Sequence, residues 1–266
     1  MPTTEITSID GSITPTPEAR IPSADDGLYR GDGAFEVVRV YGGRPFALRE
    51  HLERLGRSAA TLHLPYDGAA LEREVDALLE AFGGGDAAMR IIVTRGGRRL
   101  VATEELPSHG DSVSLSVVTY APSVILTGVK SISYGANMQA TRLAAAGGAD
   151  EALLVRPDGI VLEAPTSSIF WLSAEGPLRT PSIDTGILES ITRARIATAL
   201  HVEEGEWELD DLRGAPEAFL ASTTREVQPV SALDGSSLPE VPGLRTREAA
   251  KAFADAIEAE LAAAHD

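Results

Sequence analysis

Two hydrophobic periods run along the chain and predict both strands and helices. Residues 33–41 alternate apolar with other side chains, which predicts a strand that carries Arg39 on an otherwise apolar face. Residues 48–62 and 71–82 instead place leucine, valine and alanine at helical spacing, and the glycines at 83–85 end the second helix. The first part of the chain is therefore predicted to form a strand followed by two helices.

The rest of the pattern predicts short strands mixed irregularly with helices. Strands are predicted over 89–94, 113–119, 151–155, 160–162, 168–172 and 218–222. Helices are predicted over 137–146, 192–202 and 248–264. Residues 121–128 show no clear period and are interpreted as a linker. The fold class expected is α+β, with a smaller N-terminal α+β domain over 1–120 and a larger C-terminal domain over 129–266.

The composition is that of an acidic chain. Lysine and arginine number 23 against 40 aspartates and glutamates, for a net charge of −17 at pH 7. Such a charge repels phosphate backbones and anionic lipid, so neither a nucleic acid nor a membrane is expected as a partner. The densest basic cluster, formed by Arg95, Arg98 and Arg99, lies in a glycine-containing turn and is interpreted as a hairpin tip.

Cysteine is absent, so the sequence predicts neither disulfides nor a thiolate-ligated metal. No metal site is predicted from the other residue types. The N-terminus lacks the pattern of a signal peptide, and no apolar run approaches the length of a membrane span. We expect a cytoplasmic protein.

Lysine is scarce in this chain, which carries only Lys130 and Lys251. Lys251 lies in a charged amphipathic helix, where a lysine simply faces water. Lys130 lies in an apolar stretch, and burial favours the neutral amine, which can attack a carbonyl and hold it as a Schiff base. A lysine that happens to remain on the surface is the alternative, and the rest of the chain must decide between the two.

Four groups of motifs resemble the class IV pyridoxal-phosphate (PLP) aminotransferases, the fold-type-IV family of branched-chain aminotransferases, D-amino-acid aminotransferases and aminodeoxychorismate lyases. The motifs occupy 26–36, 48–59, 130–163, and 187–193 together with 222–229. Together the motifs span nearly the whole chain, and the resemblance depends on their order and spacing. The resemblance implies a two-domain fold like that of D-amino-acid aminotransferase, an active site in the interdomain cleft, and a homodimer.

The resemblance also implies that the cofactor is pyridoxal 5'-phosphate. Lys130 matches the lysine that forms the Schiff base and shuttles the proton between substrate and cofactor. Glu163 matches the glutamate that pairs with the pyridine nitrogen, and Arg54 matches an arginine that binds the phosphate. Ile191 and Thr192 open a helix that offers amide donors to the same phosphate. The full set of cofactor-binding residues implied is Arg54, Tyr134, Glu163, Leu188, Ile191, Thr192 and Thr223.

Ordinary structural roles compete with several of these assignments. Arg54 could pair with Glu50 on the helix surface. Tyr134 and Leu188 could be core residues, and Glu163 could be a solvated glutamate at a strand end. Two positions also depart from the family pattern, because Ser168 replaces a common asparagine and Ser190 replaces a usual glycine.

Substrate recognition is assigned through the same resemblance. The residues at matching positions are Arg30, Phe35, Val37, Arg39 and Thr224. Arg30 could bind a carboxylate, or could be an exposed loop arginine. The arginine–histidine carboxylate trap of D-amino-acid aminotransferases is not evident after residues 95–97, which counts against D-amino-acid specificity.

The function expected is therefore a transaminase that moves an amino group between an amino acid and a 2-keto acid through the Lys130 Schiff base. Apolar or branched-chain L-amino acids are the favoured substrates. Three alternatives are kept. One is an aminodeoxychorismate lyase that releases pyruvate and p-aminobenzoate, another is an amine transaminase, and the third is a non-catalytic protein that keeps the fold to carry the cofactor.

Overall fold

A computed structural model describes residues 5–263, which divide into two compact units. Within the described range, unit 1 comprises residues 5–107, 129–134 and 260–263, and unit 2 comprises Ser108–Gly128 and Gly135–Ala259. Each unit contains one β-sheet with helices, so the α+β class predicted from the sequence is confirmed.

Unit 1 is built on a six-stranded sheet with the strand order β2-β1-β6-β5-β3-β4. Its elements are β1 (Ile6–Ile9), β2 (Ser12–Pro15), α1 (Asp26–Arg30), β3 (Gly33–Tyr41), β4 (Arg44–Pro45), α2 (Leu48–Thr61), α3 (Gly68–Phe82), β5 (Ala87–Thr94) and β6 (Arg99–Glu104). The neighbouring strands pair antiparallel throughout. Residues 95–98 form the turn between β5 and β6, as the sequence predicts, and Arg99 is the first residue of β6.

Strand β3 has two chemically different faces because side chains alternate along a strand. Ala34, Val38 and Val40 point to the core of unit 1, where they pack with leucines of α2 and α3. Phe35 and Val37 point the other way. Glu36 belongs to the core face and is fully buried, so the sheet places a carboxylate among apolar side chains.

Unit 2 is built on an eight-stranded sheet with the order β11-β10-β9-β12-β13-β7-β8, and β14 pairs with β13. Its elements are β7 (Val113–Thr119), α4 (Gly135–Ala146), β8 (Glu151–Val155), β9 (Ser168–Leu172), β10 (Leu178–Pro181), α5 (Ile191–Ala199), β11 (Val202–Gly205), α6 (Leu209–Arg213), β12 (Ala218–Ser222), β13 (Glu226–Leu233), β14 (Ser236–Ser237) and α7 (Leu244–Ala263). Its core includes Trp171, Leu153 and Leu220, all fully buried.

The unit boundaries differ from those predicted from the sequence, which placed a linker at 121–128 and Lys130 in the C-terminal domain. The first boundary follows Pro107, and Val129–Tyr134 belongs to unit 1. The reason is backbone pairing with β3, since Phe35 N–H donates to the carbonyl of Lys130 at 3.0 Å and Ile132 N–H donates to Gly33 at 3.0 Å.

Three predicted elements also differ. Residues 160–162 form only isolated bridges, with Ile160 facing Glu208, and are not a strand of the sheet. The helix predicted over 192–202 ends at Ala199, because Val202 begins β11, which pairs in parallel with β10. The terminal helix begins four residues earlier than predicted, at Leu244, and residue 264 of that prediction lies outside the described residues.

Candidate functional site

Lys130 is fixed at its backbone on both sides. Its N–H donates to the hydroxyl of Ser58, a buried residue of α2, at 3.1 Å. Its carbonyl accepts from Phe35 of β3 at 3.0 Å. A helix and a strand of unit 1 therefore hold the main chain of the lysine, while its half-buried side chain projects from a fixed point.

An aromatic pair lies beside the amine of Lys130. The Nζ atom is 4.5 Å from the centre of the Phe35 ring, within the range of a cation–π contact. Phe35 meets Tyr134 edge to face, with ring centroids 5.4 Å apart. Lys130, Phe35 and Tyr134 are thus brought together.

Arg54 lies on the buried face of α2, where it binds Glu36. Its Nε donates to Oε1 of Glu36 at 2.7 Å, and its Nη2 donates to Oε2 at 2.6 Å. His51, one turn earlier on α2, places its Nδ1 atom 2.7 Å from Oε2. The carboxylate that the Arg54 guanidinium binds here is a fully buried residue of β3.

Electrostatics fix the charge states in this cluster. Burial alone would raise the pKa of Glu36, but the hydrogen bonds from Arg54 and His51 and the charge of Arg54 lower the pKa to about 2. Burial lowers the pKa of His51, and the charges of Arg54 and Lys130 act in the same direction against the opposing hydrogen bond to Glu36. At neutral pH the cluster therefore contains a carboxylate, a guanidinium and a neutral imidazole.

Glu163 and Leu188 meet in unit 2. Oε1 of the half-buried Glu163 accepts a hydrogen bond from the backbone N–H of Leu188 at 3.2 Å, which orients the carboxylate. Tyr120 lies near this carboxylate. Burial raises the pKa of the Tyr120 phenol, and the negative charge of Glu163 raises that pKa further. Ser168, at the start of β9, is buried, and its hydroxyl has no hydrogen-bond partner among the described residues.

Helix α5 begins with the other predicted cofactor residues. Ser190 is the N-cap, and its hydroxyl accepts from Arg193 N–H at 3.2 Å. Ile191 and Thr192 occupy the first turn, where backbone N–H groups have no acceptor within the helix. Thr223 and Thr224 lie in the turn between β12 and β13, both half-buried.

The remaining predicted substrate residues lie in unit 1. Val37 shares the outer face of β3 with Phe35 and Arg39, and it is half-buried. The guanidinium of Arg39 is 3.5 Å from Asp86 and 4.8 Å from the Tyr41 ring centre, and its buried Nε has no hydrogen-bond partner among the described residues. Arg30 lies on α1, with its side chain 75% exposed and its Nε 3.5 Å from Asp26.

Sequence reasoning missed four residues that shape these groups. Glu36, His51 and Ser58 hold Arg54 and the Lys130 backbone, and Tyr120 lies close to Glu163. A signal for the first three was present, since Glu36 interrupts an apolar strand face and His51, Arg54 and Ser58 follow one helix face. No comparable pattern pointed to Tyr120.

Residues 5–263 contain neither a membrane-spanning helix nor a cluster of metal ligands. No helix there is both long and apolar enough to cross a bilayer. No three histidine, aspartate or glutamate side chains in the same range cluster in a way that could hold a metal ion.

Comparison with known proteins places these features in a family. The family model "Amino-transferase class IV" matches residues 33–233. A putative branched-chain-amino-acid aminotransferase of Methanocaldococcus jannaschii is 31% identical over 85% of this chain and 87% of its own length. A D-alanine aminotransferase of Bacillus licheniformis is 29% identical over 95% and 97%, and an aminodeoxychorismate lyase of Bacillus subtilis is 29% identical over 85% and 86%.

Solved structures agree with the sequence relatives. A fold IV transaminase from Curtobacterium pusillum superposes with a TM-score of 0.82 at 28% identity, covering 95% of this chain and 99% of that one. A hypothetical aminotransferase from Mycobacterium tuberculosis in a PLP-bound form gives a TM-score of 0.87 at 25% identity, covering 96% and 99%. The chain thus belongs to the class IV aminotransferases and is an enzyme of fold type IV.

Proposed function

We propose that this enzyme is a PLP-dependent transaminase that moves an amino group between an apolar or branched-chain L-amino acid and a 2-keto acid. The position of Lys130 carries the proposal. It is one of two lysines in the chain, its backbone is held by Ser58 and Phe35, and its amine lies against an aromatic ring. Such placement suits a lysine that must present its amine to a carbonyl repeatedly.

The residues of unit 1 suit the cofactor. Lys130 supplies the amine that would bond to the aldehyde, and Tyr134, whose ring contacts Phe35, supplies a phenol. Arg54 supplies a guanidinium whose planar fork matches a phosphate, and Glu36 fixes its orientation.

The residues of unit 2 suit other parts of the same molecule. Glu163 is a carboxylate oriented by Leu188 N–H, as a partner for a protonated pyridine nitrogen requires. The first turn of α5 offers the amides of Ile191 and Thr192 to an anion, and Thr223 adds a hydroxyl.

When bound, PLP withdraws electrons from the α-carbon of an attached amino acid, so that a proton there becomes acidic. Lys130 Nζ would remove that proton and return it to the cofactor carbon. Glu163 would keep a proton on the ring nitrogen, because a carboxylate stabilises the cationic form. Arg54 and the α5 amides would hold the phosphate, so that the reacting atoms stay in register.

The outer face of β3 supports an apolar substrate. Phe35 and Val37 present apolar surface there, and the charge of Arg39 is matched by Asp86. Arg39 would then lie at the edge of the substrate-binding pocket, and the backbone N–H of Thr224 would donate to the substrate carboxylate. Arg30 stays a candidate carboxylate ligand on α1.

Lys130 and Lys251 form a matched pair for testing the lysine assignment. Lys251 is exposed and binds Asp255 at 2.7 Å. After reduction of the holoenzyme with borohydride, peptide mapping should find the pyridoxyl group on Lys130 and none on Lys251. Lys130→Ala should lose the bound chromophore and Lys251→Ala should keep it. Circular dichroism should show that both variants are folded. A yellow and active Lys130→Ala protein would refute the assignment.

A donor panel tests the reaction and its substrate. L-leucine, D-alanine and a simple primary amine would be added separately to holoenzyme while the cofactor absorbance is followed. Conversion to the pyridoxamine form with L-leucine supports the proposal, whereas conversion with D-alanine or the amine alone reassigns the specificity. The similarity to aminodeoxychorismate lyase makes that activity the second candidate, and pyruvate release from aminodeoxychorismate without any donor conversion would establish it.

We also propose that the enzyme is a homodimer, as the family resemblance implies. Light scattering on the holoenzyme should give twice the chain mass of 28.0 kDa. A mass of one chain at micromolar concentration would overturn this assignment.

A further inference from the structure

A polar stripe crosses the buried face of α2. His51, Arg54 and Ser58 lie three and four residues apart, so they share one side of the helix. All three are buried, and the surrounding residues of α2 and β3 are apolar core residues. The stripe faces the one buried carboxylate of β3, Glu36, and at its C-terminal end it binds the backbone N–H of Lys130.

The hydrogen-bond pattern leaves Arg54 a single orientation. Both carboxylate oxygens of Glu36 accept from its fork, one from Nε and one from Nη2. Oε2 of Glu36 also faces Nδ1 of His51. An ionised carboxylate only accepts, so the neutral imidazole must carry its proton on Nδ1 and donate it. His51 therefore fixes the carboxylate, and the carboxylate fixes the guanidinium.

Stability alone is a weak reason for such a cluster. Removing two charges from water costs free energy that a buried ion pair seldom recovers relative to well-packed apolar residues. The chain also contains a second helix–sheet ion pair in unit 1, between Glu74 of α3 and Arg99 of β6 at 2.8 Å. That pair has no neighbour like His51 on its carboxylate in the described structure, so it serves as the structural counterpart.

We propose that Glu36 and His51 are positioning residues that hold the Arg54 guanidinium in the orientation required to bind the cofactor phosphate. The inference rests on the proposed function, which assigns the phosphate to Arg54. A guanidinium binds phosphate best when its planar fork is fixed beforehand, because ordering a long side chain on binding costs entropy. Glu36 has the larger effect because it contacts Arg54 at two atoms, and His51 acts through Glu36.

The test compares PLP with pyridoxal, which has the same aldehyde and ring but no phosphate. Dissociation constants of both would be measured by absorbance titration of the apoenzyme. Glu36→Gln should weaken PLP binding about 10-fold or more, the order seen when a hydrogen-bond partner of a metal-binding residue is removed. Pyridoxal binding should change by less than about 2-fold, because its contacts do not involve Arg54.

Substitutions of His51 separate positioning from packing. His51→Asn keeps a donor toward Glu36, and His51→Leu fills similar volume without one. The asparagine variant should stay within about 2-fold of wild type for PLP, and the leucine variant should lose about 3-fold or more, again with pyridoxal unaffected. If circular dichroism shows that Glu36→Gln does not fold, these two His51 variants still test whether the cluster positions Arg54.

Glu74→Gln is the matched control, with the same chemical change at the other helix–sheet ion pair. It should leave the ratio of the two dissociation constants at the wild-type value. Equal losses of PLP and pyridoxal in the Glu36 and His51 variants, or no loss, would overturn the positioning role. Wild-type protein that binds neither compound would instead overturn the proposed function, so the two failures are distinguishable.

Discussion

The two units present their candidate cofactor residues in different ways. In unit 1, one side chain orients another, since Glu36 accepts two hydrogen bonds from Arg54 inside the core. In unit 2, the backbone holds the groups, since Leu188 N–H orients Glu163 and the first turn of α5 supplies amide donors. A buried charge cluster is costly to disturb, whereas a backbone-held site tolerates substitution of its side chains. The comparison predicts a graded series of effects on stability.

Arg54→Met should give the largest effect. It leaves the buried carboxylate of Glu36 without its cation, and breaking a buried pair in this way costs about 3–5 kcal/mol. Urea unfolding of the apoenzyme measures the free energy of unfolding. A loss below about 1 kcal/mol would mean that water or another cation compensates Glu36, and the contrast between the units would fail.

Acid should destabilise the protein through Glu36. Its pKa of about 2 in the folded protein lies below the ordinary value of 4.5, so its contribution is complete above pH 4.5 and is lost as the pH falls toward 2. The contribution is about 3 kcal/mol, since one pKa unit corresponds to about 1.4 kcal/mol. Glu36→Gln should flatten the urea-unfolding profile between pH 4.5 and 2.

The lowered pKa of His51 acts in the same direction over a different range. The unfolded chain takes up a proton on this imidazole before the folded protein does, so stability declines as the pH falls below 6.5. His51→Asn should remove that part of the decline and leave the part due to Glu36. A profile unchanged in both variants would show that other groups govern the acid response.

Ser190→Ala should have a smaller effect in unit 2. It removes the side-chain acceptor for Arg193 N–H at the start of α5, and loss of an N-cap costs about 1 kcal/mol. Ser190→Asp keeps an acceptor and should retain nearly wild-type stability. A loss as large as that of Arg54→Met would show that unit 2 depends on side chains as strongly as unit 1.

Glu163→Gln should change stability least, by about 0.5 kcal/mol or less, because the amide oxygen can still accept from Leu188 N–H and the side chain is half-exposed. The transamination rate should nevertheless fall. Urea unfolding and the rate of donor conversion would measure the two effects. A stable but slow variant would distinguish a residue that is oriented by the backbone from one that stabilises the core.

Much of the fold followed from local patterns. The strands predicted over 33–41, 113–119, 151–155, 168–172 and 218–222 have the observed bounds, because each is a run of β-forming residues bordered by turn residues. The N-terminal hairpin of β1 and β2 was missed, since its threonines, prolines and glycine favour loops by composition. These residues become strands only because β1 and β2 pair with each other and β1 pairs with β6.

The sequence by itself determined the family, the scarcity of lysine, and the helix face that carries His51, Arg54 and Ser58, because motif order and periodicity are local properties. Only the tertiary structure decided that Glu36 meets this face and that Lys130 joins β3. A glutamate on the core side of a strand is unfavourable until a distant helix supplies its cation, and strand pairing joins residues far apart in sequence. Such long-range partners are set by packing, which a local pattern does not encode.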